Sequence, residues 1–148
     1  MRPSQDDVDY KQIFDNSPSL VLVLDPGFKI LAQNRAHAAA SLSADRGLVG
    51  KNLFEAFPEN PDHNDAEGLS VLRASLLRVL KNRQADTIDA MRHDVRGAHG
   101  PYQTRWWRVI NTPILGDDGY VRWIINRAED VTELVELRNR LAEAFPKR

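Results

Sequence analysis

Apolar and polar positions alternate most clearly over residues 102–133. Two segments rich in β-branched and aromatic residues flank Gly116-Asp117-Asp118-Gly119, and an Asp-Gly pair between such runs predicts a hairpin. Trp106, Trp107 and Trp123, all the tryptophans of the chain, fall in it. Period-two alternation puts Trp107, Val109 and Asn111 on one face of the first strand. Ile124, Asn126 and Ala128 share a face of the second, which runs through Asp130-Val131-Thr132 into an amphipathic helix. A sheet whose last strand becomes an outgoing helix can pass a change in the sheet to whatever follows.

The upstream pattern predicts the remaining elements. Ser4 with Asp7 reads as a capping box for a short helix with Val8, Tyr10, Ile13 and Phe14 on one stripe, stopped at Asn16-Ser17-Pro18. Leu20–Leu24 reads as a buried strand, in which alternation puts Leu22 and Leu24 on one face. Asp25-Pro26-Gly27 turns the chain, glycine permitting a positive φ, and residues 28–33 return. Asn34 is the expected N-cap of an alanine-rich helix over 35–42, and a second helical piece over 51–57 ends at Pro58. A loop over 59–65 leads, through a cap formed by Asn64 and Glu67, into the clearest helix. There Leu69, Leu72, Leu76, Val79 and Leu80 form one apolar face. A weak third strand spans 85–96 and a flexible turn 97–101. In the tail, Leu134, Leu137, Leu141 and Ala144 are spaced 3-4-3, the seam of a two-stranded coiled coil two heptads long, which predicts a homodimer. The order, a hairpin, a helical block, then three strands, gives an α+β fold: one antiparallel five-stranded sheet with helices on one face and a C-terminal linker helix.

Composition narrows the function. At 148 residues one core is expected, divided as an N-terminal capping helix over 1–17, a core over 18–130 and a linker helix over 131–148. A net charge of −1 predicts no nucleic-acid or membrane-surface footprint. The longest apolar run is far shorter than a membrane span, and a cytoplasmic location is expected, although a membrane-anchored parent could carry such a domain on its inner side. Without cysteine, disulfides, thiol nucleophiles and Cys-ligated zinc are excluded.

Several motifs carry a family resemblance. Pro113, then Gly116-Asp117-Asp118-Gly119, an apolar strand and Asp130-Val131-Thr132 resemble the C-terminal half of a PAS domain. Ser19 to Gly27 resembles its first strand and turn, and Ile30-Leu31-Ala32-Gln33-Asn34-Arg35-Ala36 its second strand entering the first core helix. The resemblance covers roughly residues 8–133, with the motifs in order. It implies a bacterial-type sensory module of the kind found in histidine kinases: a small ligand between sheet and helices, or a dimerisation platform, biasing a linker to an output domain not in this chain. It sets Leu22, Trp107, Val109, Asn111, Ile124 and Asn126 toward the cavity. The two asparagines then either contact a ligand or bond to the helical block or buried water. It also implies that Asp130 and Thr132 form a relay junction, Asp130 pairing with a base such as Arg127 or Arg35, unless it simply caps the helix through the Thr132 and Glu133 amides.

The cofactor is open, with two modes argued against. Without cysteine a thiol–flavin adduct cannot form, and residues 66–83 lack the axial histidine of heme-binding relatives. His37 reads as a half-exposed surface residue, Asp62-His63-Asn64-Asp65 as a solvated loop rather than a metal site, and His93 and His99 as loop neighbours without a nucleophile. No phospho-accepting histidine follows Thr132. No enzyme motif occurs, and a catalytic site is not expected. The competing readings are an interaction domain with a filled core and, further off, a cystatin-like isomerase or dehydratase.

Overall fold

The computed structural model describes residues 7–63 and 67–145. Its elements follow the expected order: α1 (Tyr10–Asn16), β1 (Leu20–Leu24), β2 (Ile30–Gln33), α2 (Arg35–Ala40), α3 (Leu53–Ala56), α4 (Glu67–Asn82), β3 (Asp86–Arg92), β4 (Trp106–Leu115), β5 (Val121–Asp130) and α5 (Thr132–Ala144). One five-stranded sheet, ordered β2-β1-β5-β4-β3, pairs antiparallel throughout. Its central strand β5 therefore ties the first strand to the hairpin. The turn closes with Gly119 at φ +82°, a region glycine enters without steric penalty.

The core lies between the inner sheet face and the helices. Leu22, Leu24, Trp107, Val109 and Ile124 meet Leu53, Leu72, Leu76 and Val79 there. These strand residues share the inner face because half-burial fixes the register: a one-residue slip would turn every one outward. Gly68 opens α4 where it approaches β3 so closely that any Cβ would collide with the Arg92 carbonyl.

Local chemistry departs from the sequence pattern in four places. Asp9 is the N-cap of α1, its carboxylate accepting from the Gln12 amide, whereas Ser4 of the expected capping box lies outside the described residues, as does Asn64 of the second expected cap. At the β1–β2 turn the positive φ, 71°, falls on Phe28 rather than Gly27. The Asp25 carboxylate accepts from the Gly27 and Lys29 amides around it, and the Phe28 side chain is buried, which holds the strained residue in place. The third strand stops at Arg92, with an irregular register between Ile88 and Met91; beyond it the His93 amide donates to the Arg105 carbonyl and Val95 forms an isolated bridge with Gln103. The fourth departure, at His37, belongs to the site.

Candidate functional site

Asn34 both caps and anchors α2. Its Oδ1 accepts from the His37 and Val21 amides, while Nδ2 donates to the Ser19 and Phe14 carbonyls, tying β1 and α1 to the helix. Besides its alanines, α2 carries only Arg35 and His37. With Arg35 exposed, His37 is the bulky residue available to face inward; it is 8% exposed, not half-exposed as its alanine-rich setting implied. Burial pushes its ring down to about 4, so the imidazole is neutral at physiological pH. Gln33 Nε2 lies 3.0 Å from His37 Nδ1, and the same amide donates to Ser43 Oγ.

His37 stands on the wall of a cavity of about 70 Å³ between α2, α3, α4 and the sheet. The wall is mainly apolar: Leu20, Leu22, Leu53, Leu72, Met91, Trp107 and Val109 line it, with Asn126 and Ala128 from β5. Phe57 stands edge-on between His37 and His93, with ring centroids 5.8 and 6.4 Å away. Burial also lowers the His93 ring, and the neighbouring Asp94 carboxylate only partly opposes this. The Trp107 indole N–H donates to the His93 carbonyl at 2.9 Å, fixing the aromatic wall. Beyond His93 and Met91 lies a larger, more polar hollow of about 220 Å³ beside Asn60, Arg92 and Asp94. Burial raises the Asp94 carboxyl, but bonds from Arg92 and Asn60 outweigh it and hold the group below the usual range.

Of the six residues expected at the cavity, Leu22, Trp107, Val109 and Asn126 line it. Ile124 and Asn111 are fully buried behind it. Asn111 is the middle of a polar chain. Asn126 Nδ2 donates to Asn111 Oδ1 at 2.7 Å, and Asn111 Nδ2 donates to Ser75 Oγ at 3.0 Å. Ser75 bonds in turn to Asp86, which Arg78 grips with two bonds of 3.0 and 2.9 Å. The asparagines thus bond to the helical block, and Asn126 also meets the cavity. Sequence reasoning missed His37, Phe57, His93 and Ser75. Ser75 falls between Leu72 and Leu76 on the buried face of α4, a signal that was available.

At the other end of the cavity wall, sheet and helix are knotted together. The Trp106 amide donates to Thr132 Oγ1 at 2.9 Å, and the Val131 amide donates to the Trp106 carbonyl at 2.9 Å. Asp130 Oδ1 accepts from the Thr132 amide and hydroxyl, but Val131, not Asp130, is the N-cap of α5, and no side chain caps that helix. Its ionic partner is Arg105, 3.6 Å away, rather than Arg127 or Arg35. Trp107 pairs with Asp130 across the sheet, so Arg105, two residues back, projects on the same side; Arg127, an odd number of residues from Asp130, projects on the opposite one. Beyond the junction, Leu134, Leu137 and Leu141 are about half exposed on α5.

A family model described as the PAS fold matches residues 14–136. The chain belongs to the PAS fold family. No curated protein matches the sequence. Among solved structures, an RNA-binding light–oxygen–voltage receptor superposes with a TM-score of 0.68 at 18% identity, over 97% of this chain. The chain spans only 40% of that receptor's length. A sensory box sensor histidine kinase from Vibrio cholerae gives 0.54 at 15% identity, over 83% of this chain and 88% of the other. The PAS domain of Bordetella pertussis BvgS gives 0.59 at 24% identity, over 91% and 93%. These likenesses are of fold. In this PAS domain the cavity occupies the space between sheet and helices, and the sheet–helix knot follows directly from its wall. Among the described residues no helix is long and apolar enough to cross a membrane.

Proposed function

We propose that this PAS domain is a non-catalytic, cytoplasmic sensory module that takes a small molecule into its cavity and passes the occupancy to α5. One observation carries the reading: cavity-lining Trp107 is the chain neighbour of Trp106, whose amide and carbonyl both bond to the start of α5. A ligand that shifts β4 by a fraction of an ångström therefore acts on the helix through the backbone of a single residue, Trp106. The mechanism is a population shift: a ligand favouring one arrangement of sheet and helix changes the balance between two helix placements. The histidine-kinase relative supports an output of that class, joined through α5. Following backbone exchange in α5 while the cavity is filled tests the reading.

The exposed seam of Leu134, Leu137 and Leu141 supports a homodimer, with α1 contributing exposed Tyr10 and Ile13. A pair of short helices needs every apolar contact along its seam. Combining Leu137→Glu with Leu141→Glu is expected to raise the dimer dissociation constant at least tenfold in sedimentation equilibrium. An unchanged constant would place the contact elsewhere, on α1 or the outer sheet face.

A further inference from the structure

The cavity walls carry two polar atoms that the fold leaves without partners. Gln33 Nε2 belongs to an amide NH₂, which can only donate, so His37 Nδ1 accepts from it. In a neutral imidazole the remaining proton then sits on Nε2, making that nitrogen a donor. On the opposite wall Asn126 spends its Nδ2 on Asn111, leaving Oδ1 as a bare acceptor. Neither His37 Nε2 nor Asn126 Oδ1 bonds to any other group among the described residues. Arg46 Nε is the one fully enclosed side-chain nitrogen or oxygen without a partner there. The two free atoms, on residues only 8% and 5% exposed, must therefore open onto a space, and the space both residues line is the cavity.

Size and polarity limit what can meet them. A water-sized group needs about 10–15 Å³ of such space, so about five to seven fit. With the rest of the wall largely apolar and both histidines neutral, no fixed charge among the described residues lines the cavity, and an ionic ligand would lose its hydration unrepaid. We propose that the ligand is a small uncharged molecule, amide- or lactam-like, whose acceptor takes the His37 Nε2 proton and whose donor meets Asn126 Oδ1. This rests on the sensory reading of the cavity and adds the chemistry that reading lacks.

The test titrates the full chain with 2-pyrrolidone, with cyclopentane and with pyrrolidine, which is cationic at neutral pH, following ¹H–¹⁵N amide shifts. 2-Pyrrolidone is expected to move the amides of His37, Trp107 and Asn126, with pyrrolidine at least tenfold weaker. In His37→Phe its affinity falls about tenfold, the loss of one buried hydrogen bond. Cyclopentane binding stays within about twofold in that variant, and His37→Gln, which keeps a donor, restores most of the affinity for the lactam. The amide spectrum of each variant reports whether it is folded. If cyclopentane or pyrrolidine binds the wild type as well as the lactam does, the cavity remains a ligand site but the proposed class is overturned. If none of the three probes shifts residues of the cavity, both the class and the sensory reading fall.

Discussion

Replacing Asn111 with alanine is expected to cost about 3 kcal/mol of folding stability, because three separate losses coincide. The residue is fully buried, so its truncation leaves a void in a close-packed core. Asn126 Nδ2 loses its acceptor and Ser75 Oγ its donor, and neither is replaced by another bond of the network. The chain of donors from Asn126 to Asp86 also polarises along its length, so a break in the middle weakens both ends. Thermal unfolding followed by circular dichroism should show the midpoint fall by roughly 10 °C. A fall of under about 3 °C would mean that the network is not strengthening the sheet–helix contact. Ser75→Ala, which keeps the volume almost unchanged, should lose less, about 1–2 kcal/mol.

Stability should also drop between pH 6.5 and 4, and His37 is the reason. Its ring has an ordinary value of 6.5 and a folded value of about 4. Over that window the unfolded chain takes up a proton that the folded chain refuses, so unfolding gains as pH falls. The contribution is fully present above pH 6.5, shrinks through the window and is lost once pH passes about 4, by on the order of 3 kcal/mol in total. His93, lowered by burial, acts in the same sense. Asp94 and Asp86 are also held low, but their contributions fade only below the ordinary carboxylate value of 3.8, leaving the window to the histidines. Urea unfolding monitored by tryptophan fluorescence should show wild-type stability lower at pH 4.5 than at pH 7.5 by at least the His37 share of about 2.5 kcal/mol. His37→Phe should lose much less over the same interval; an equal loss would show that the ring is free to protonate in the folded chain.

What the sequence made legible follows from periodicity. Alternation in β4 and β5 grouped Trp107 with Val109 and Ile124 with Asn126 on shared faces, because a half-buried strand repeats every second residue, while the family resemblance supplied which face turns inward. The spacing of Leu72, Leu76 and Val79 identified α4 in the same way. Contacts between distant segments were not legible. The bond from Asn111 to Ser75 spans 36 residues and depends on how α4 lies across the sheet, a tertiary result with no local signature. His37 was misread for a related reason. In a six-residue helix of mostly alanines, no stripe marks which side faces the core, and packing decides it. The Asp130 partner was sought among nearby or motif residues, whereas antiparallel pairing delivered Arg105.

The central claim, that filling the cavity acts on α5 through the Trp106–Thr132 bond, is tested most directly by hydrogen–deuterium exchange of the α5 amides with and without saturating 2-pyrrolidone. The account predicts that occupancy changes exchange in the first turn of α5, residues 132–136, at least threefold. In Thr132→Val, which removes the hydroxyl that Trp106 donates to, the cavity residues should still respond while the α5 change disappears. If the cavity fills and α5 exchanges at the same rate as before, cavity and helix are not coupled and the account is wrong.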